Sequence, residues 1–120
     1  MSLPCGGVEV HGEVASEFAA LDELVQTELA AHVELLRIFG PRLGRPRADT
    51  LKGSAHANMK ELRFDAGGGV WRVAYAFDPP RRAVLLVGGD KSGVAQRRFY
   101  AALIRKADRR YAAYLEEQNL

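Results

Sequence analysis

The chain has 120 residues, 48% of them hydrophobic and 27% charged, a balance that suits one folded domain with its own core and excludes a disordered tail. Its one cysteine, Cys5, excludes an intrachain disulfide and a cysteine-based zinc site, and no apolar run approaches the ~20 residues of a membrane span. The formal net charge of +2 hides an asymmetry: residues 41–110 hold 16 Lys/Arg against 6 Asp/Glu, whereas residues 1–40 hold 1 against 7, and a basic block on a small domain points to a polyanion such as RNA or DNA.

The N-terminus lacks the basic-then-apolar pattern of a signal peptide, so a soluble, cytoplasmic protein is expected, with one domain over residues 1–120. Residues 1–7, with Pro4, Gly6 and Gly7 around Cys5, read as a loose lead-in. Val8-Glu9-Val10-His11 alternates apolar and polar and predicts a short strand. From Glu13 the period changes: Val14, Phe18, Leu21, Leu24/Val25, Leu29, Val33 and Leu36 form one stripe, with Glu17, Glu23, Glu28 and Glu34 opposite. One long or two consecutive helices over about 13–39 follow, with a break near Asp22 and a stop at Gly40-Pro41. Gly and Pro make residues 40–58 loop-like.

Three strands are expected next. Met59 to Asp65 sets Leu62 and Phe64 on one face and Met59, Glu61 and Arg63 on the other. Gly67-Gly68-Gly69 closes a hairpin. In Val70 to Asp78, Trp71, Val73, Tyr75 and Phe77 alternate with Arg72, Ala74 and Ala76. Ala83 to Val87 reads as a central strand covered on both faces and ended by Gly88-Gly89. Ser92 is a candidate cap for a helix over 94–117, whose Phe99, Leu103, Ala107, Tyr111 and Leu115 repeat every four residues. The expected fold is a small α+β domain with helices packed on one antiparallel sheet.

This order of elements, with LKG…NMKELRF, VWRVAYAFDP and LLVGGDKSG, resembles the RelE/HigB toxin superfamily of bacterial type II toxin–antitoxin modules, closest in character to its phage-derived branch. The resemblance covers about residues 8–117. It implies a microbial-RNase-type fold and, as in many members, cleavage of mRNA in the ribosomal A site without metal or other cofactor. It also implies neutralisation by a co-expressed antitoxin, typically a HigA-like helix-turn-helix protein. Other members, ParE-like, poison DNA gyrase instead, and a catalytically silent antitoxin-binding member is a further alternative, so fold alone does not fix the target. Oligomeric state is not legible.

Metal-free RNA cleavage needs a base for the 2′-OH, cations for the charged phosphorane and an acid for the departing 5′-oxygen. Arg suits the phosphate because its planar fork binds oxyanions bidentately. Arg72 matches the arginine that RelE-like toxins carry after the first hairpin and is the first choice, with Ala74 and Ala76 leaving room for a nucleotide; the alternative is an exposed arginine in a surface salt bridge. Arg63 and Lys60 match the family's basic strand. Their odd separation puts them on opposite faces, which favours Arg63 for the site and leaves Lys60 at an edge.

Glu61 is the one carboxylate in the run Met59 to Phe64, a general base or a structural counter-charge. His56 is the one histidine in the basic block, an acid–base candidate in a loop. Lys91, in a Gly-rich turn after the last strand, suits a phosphate contact. Gly88-Gly89-Asp90-Lys91-Ser92 lacks the GxxxxGKS spacing of a nucleoside-triphosphate loop. Lys52, Arg97 and Arg98 complete the RNA-binding set with Tyr100, which would stack on a base, donate a proton or simply pack. The later arginine pairs of the last helix are expected to supply diffuse attraction to RNA.

Overall fold

The computed structural model describes residues 7–120, so Cys5 and most of the expected lead-in lie outside the described residues. Gly7 does not belong to a loose segment: its carbonyl accepts from the Ala83 amide at 2.9 Å. The elements run β1 (Val8–Val10), α1 (Gly12–Ala19), α2 (Glu23–Phe39), a 3-10 turn (Gly40–Arg42), β2 (Ala48–Thr50), β3 (Met59–Ala66), β4 (Gly69–Phe77), β5 (Ala83–Asp90) and α3 (Gln96–Glu117). They form an α+β fold around one five-stranded sheet in the order β1-β5-β4-β3-β2. β1 pairs parallel to β5, and every other pairing is antiparallel.

The expected break in the N-terminal helix occurs at Asp22, whose carboxylate caps α2 by accepting from the Leu24 amide at 3.1 Å. The β3–β4 hairpin turns on Gly67 and Gly68, at φ 58 and 82. Two positive φ angles are what a two-residue turn matching the sheet twist demands. The alternation read from the sequence then sorts the hairpin's side chains between two cores. Leu62, Phe64, Val73 and Tyr75 join Val25, Leu29 and Leu36 beneath α2, while Met59, Ala74 and Ala76 join Leu103, Ala107, Tyr111 and Tyr114 beneath α3. Each fully buried Leu in these layers contributes roughly 2 kcal/mol of transfer free energy.

Four local expectations are corrected. β2 lies inside the segment read as loop, its three residues pairing Ala48 with Leu62 and Thr50 with Lys60; its Gly and Pro neighbours masked so short a strand. β5 does not end at Val87 but runs through both glycines to Asp90. A Cβ at Gly88 would meet the Phe18 ring at 3.1 Å, and one at Gly89 the Phe99 ring at 3.0 Å. Those glycines admit aromatic rings on the two faces rather than stopping a strand. Ser92 does not cap α3, which starts after Ala95 without a side-chain cap. It bonds the Asp90 carboxylate instead, through its amide at 2.9 Å and its hydroxyl at 2.6 Å. Ala74 and Ala76 leave no room for a nucleotide, because α3 packs over them and both are fully buried.

A β-bulge adds a further feature. Tyr75 lies opposite Leu85 and Ala74 opposite Val87, so Leu86 is the extra residue. The shift turns Leu86 and Val87 onto the same core beneath α3, and the Leu86 carbonyl accepts from Arg110 Nη1 at 2.8 Å. Arg110 is therefore no surface cation for RNA: it is 5% exposed and ion-pairs with Glu17 and Glu13 of α1. Among the described residues no helix is long and apolar enough to cross a membrane.

Candidate functional site

The site grows from the register of β3 and β4. Arg63 and Arg72 lie directly opposite each other, with their side chains on the face that α3 half covers. Two like charges at opposed positions repel, so the pair needs a counter-charge. Glu61, two residues before Arg63 and on its face, supplies one. Its neighbour across the ladder is Ala74, small enough to let Tyr100 of α3 reach down. Glu61 Oε2 accepts from Arg63 Nη1 at 2.8 Å, and Oε1 accepts from the Tyr100 hydroxyl at 2.9 Å. The same hydroxyl accepts from Arg72 Nε at 3.2 Å. Arg72 Nε stands 3.9 Å from Glu61 Oε1, and its Nη1 donates to the Trp71 carbonyl at 2.8 Å.

Four side chains from three elements thus share one network in which Glu61 is 3% and Arg72 6% exposed. Arg63, 25% exposed at its side chain, is the arginine that meets solvent. Burial and the hydrogen bond to Glu61 push the Tyr100 hydroxyl above its ordinary pKa, while Arg72 pulls the other way. Tyr100 therefore keeps its proton at neutral pH.

Above this network opens a groove of about 750 Å³. Glu61, Arg63 and Tyr100 form its floor. Arg45, Asp49, Thr50, Leu51 and Lys52 form one wall, and Gln96, Arg97 and Ala101 of α3 the other. A smaller pocket of about 250 Å³ on the far side of Arg63 is lined by Arg45, Pro46, Arg63, Phe64, Asp65 and Arg72. The Arg45 guanidinium pairs with Asp49 at 2.7 Å, and the Thr50 amide together with Arg45 holds the Asp49 carboxyl below its usual range. Five cations (Arg45, Lys52, Arg63, Arg72, Arg97) thus border two adjoining recesses. Asp49, Glu61 and Asp65 are the carboxylates there, and the first two are already paired with arginines.

Of the residues singled out from the sequence, Arg63, Glu61, Tyr100, Lys52 and Arg97 meet in the main groove, and Arg72 joins them through Tyr100. Lys91 stands at the rim, its Nζ donating to Gln96 Oε1 at 3.4 Å. Lys60 sits opposite Tyr75 on β4 and lines neither recess. His56 packs edge-on against Tyr111 with ring centroids 4.8 Å apart. Tyr111 follows Tyr100 by eleven residues on α3, about 16 Å along a helix, so His56 and the network are well separated. Arg98 faces a different groove, on the opposite side of α3. Arg45, Asp49, Thr50 and Gln96 were not singled out. The signal available for the first two was an Arg and an Asp four apart in a basic loop.

An α+β domain with a cationic, tyrosine-linked groove on one sheet face is the class that fold and site define. Residues 16–112 match the family described as Phage derived protein Gp49-like. Two proteins of Mycobacterium tuberculosis are similar to the chain. "Putative toxin HigB3" is 40% identical over 107 residues, 89% of this chain and 91% of that protein. "Putative toxin HigB2" is 40% identical over 98 residues, 81% of this chain but 48% of that longer protein. No solved structure gives a significant match. The chain belongs to the phage-derived Gp49-like family of HigB/RelE-like toxins.

Proposed function

We propose that the protein is the toxin of a type II toxin–antitoxin pair and acts as a metal-independent endoribonuclease that cuts mRNA on the ribosome in the cytoplasm, restrained by a HigA-like helix-turn-helix antitoxin. The observation that carries this reading is the Arg63–Glu61–Tyr100–Arg72 network opening onto a cationic groove. A surface that only holds a protein partner has no need of a buried carboxylate wired through a tyrosine to a second arginine.

In this reading Arg45, Lys52 and Arg97 hold the phosphates on either side of the cut. Arg63, and behind it Arg72, stabilise the phosphorane as charge develops, work for which a pre-set guanidinium is worth ~10²–10³ in rate. The 2′-OH proton passes to the Tyr100 oxygen while Tyr100 hands its own proton to Glu61 Oε1. The 2′-oxygen then attacks phosphorus, and the bond to the 5′-oxygen breaks. Lys91 at the rim is the candidate donor to that departing oxygen. A nucleophile drawn from the 2′-OH restricts the reaction to RNA.

Expression of the chain without an antitoxin tests the proposal. Growth arrest with new 5′ ends inside the codons of translated mRNAs is the expected result. Arrest with mRNA intact overturns the nuclease reading, and arrest accompanied by gyrase-linked DNA breaks replaces it with the ParE-like one.

A further inference from the structure

A second groove, of about 330 Å³, lies on the opposite side of α3 from the candidate site. Val87, Phe99 and Leu103 line it together with the backbone of Gly88 and Gly89, and Val94 stands at its lip. Val94 is 43% exposed. Arg98 and Lys106 border the same groove, and among the described residues neither forms an ion pair. They are eight residues apart on α3, about 12 Å along the helix axis.

An open apolar trough bordered by two unpaired cations has a definite complement. Apart from the two border cations its walls are apolar and offer no hydrogen-bond acceptor side chain to an RNA base. A peptide that puts two apolar side chains into the trough and a carboxylate on each cation satisfies both features. About four residues of extended chain, or two helical turns, span the distance between Arg98 and Lys106.

We propose that this groove docks an acidic, apolar-anchored segment of the neutralising antitoxin; the partner's identity, though not the chemistry of the groove, rests on the toxin reading above. The two grooves share one wall, the first turns of α3. Arg97 faces the candidate site and Arg98 faces the trough. A segment seated in the trough therefore carries its flanking residues over Gln96 and Arg97 and inhibits by overhanging the groove, without displacing Tyr100 from Glu61.

The test is calorimetric titration of the purified chain with the antitoxin that the toxin reading expects from a neighbouring gene. Val94→Asp and Lys106→Glu lie at exposed positions, and each is expected to weaken the complex ~30-fold or more while the thermal midpoint stays that of the parent chain. Arg63→Ala, in the other groove, is expected to change affinity less than threefold. Val94→Asp should also arrest growth as the parent chain does but escape relief by the co-expressed antitoxin. Parent-like affinity in both groove variants overturns the docking surface. Loss of affinity for a single-stranded RNA, with antitoxin affinity kept, reassigns the trough to RNA and overturns it as well. No complex with the parent chain overturns the antitoxin as occupant. Intact mRNA in arrested cells, by contrast, bears on the nuclease reading alone and leaves the affinity comparison standing.

Discussion

Two buried arginines of this molecule, Arg110 and Arg72, are 5% and 6% exposed and make opposite use of their burial. Arg110 reaches from α3 to the Leu86 carbonyl at the β5 bulge and ion-pairs with two carboxylates of α1. Its two Nη atoms donate to Leu86 and Glu17, on elements far apart in sequence, which is the arrangement of a staple, while its buried Nε has only the ionic contact to Glu13. Arg72 has a carbonyl and a tyrosine hydroxyl, with its carboxylate left 3.9 Å away. That carboxylate is shared with Arg63 and Tyr100 at the floor of an open groove. Arg110 thus ties α3 to β5 and to α1 and lines neither cationic recess. The partners of Arg72 lead instead to the floor of the cationic groove.

Substitution separates the two, and the largest effect is expected at the groove. Arg72→Ala should lower mRNA cleavage ~10³-fold and cost about 3 kcal/mol of stability, because the buried Glu61 loses one of its cations, as single-turnover rates and chemical denaturation would show. Cleavage within tenfold of the parent would remove Arg72 from the site. Tyr100→Phe keeps the ring and deletes the hydroxyl that links Glu61 to Arg72; a ~10²-fold loss of cleavage with a parent-like melting curve is expected. If Tyr100 only packs, the rate stays unchanged.

Arg110→Ala is expected to touch stability alone. It strips the Leu86 carbonyl of its donor and leaves two carboxylates without their cation, which should cost about 2 kcal/mol by urea unfolding, with cleavage per folded molecule unchanged. The smallest effect is in pH. The Arg110 guanidinium holds the Glu17 carboxyl below its ordinary value of 4.5. A depressed carboxyl contributes stability that is complete above the unfolded value and lost as pH falls through the folded one. The gap in stability between parent and Arg110→Ala should therefore be constant from pH 7 to about 5 and narrow below pH 4.5. Asp90, lowered by bonds from Ser92 and Val70, is untouched by the substitution and cancels in the comparison.

The two arginines were not equally legible in the sequence. Arg72 alternates with apolar residues in a strand bounded by a glycine hairpin, so period-two reasoning groups it with Ala74 and Ala76; the register then sets it opposite Arg63, on the face of Glu61. The helix break at Asp22 followed from periodicity in the same way, but the second core did not: Ala74 and Ala76 were expected to leave room for a nucleotide, and α3 packs over them. Arg110 could not be distinguished from Arg109 beside it, because its burial depends on a bulge in β5 and on where α1 crosses the sheet edge, both tertiary facts. The same limit hid β2, whose three residues are held by pairing with β3 rather than by propensity, and with it the wall bearing Asp49 and Thr50. His56 shows the converse: chemical aptitude on a loop says nothing about reach, and the fold sets it against Tyr111.

The most direct measurement is cleavage of mRNA on programmed ribosomes by three purified proteins: the parent chain, Arg72→Ala and Arg110→Ala, each assayed well below its melting temperature. The account predicts cut mRNA with the parent and with Arg110→Ala at similar rates, and none resolvable with Arg72→Ala. Equal rates for Arg72→Ala and the parent, or intact mRNA with all three, would contradict it.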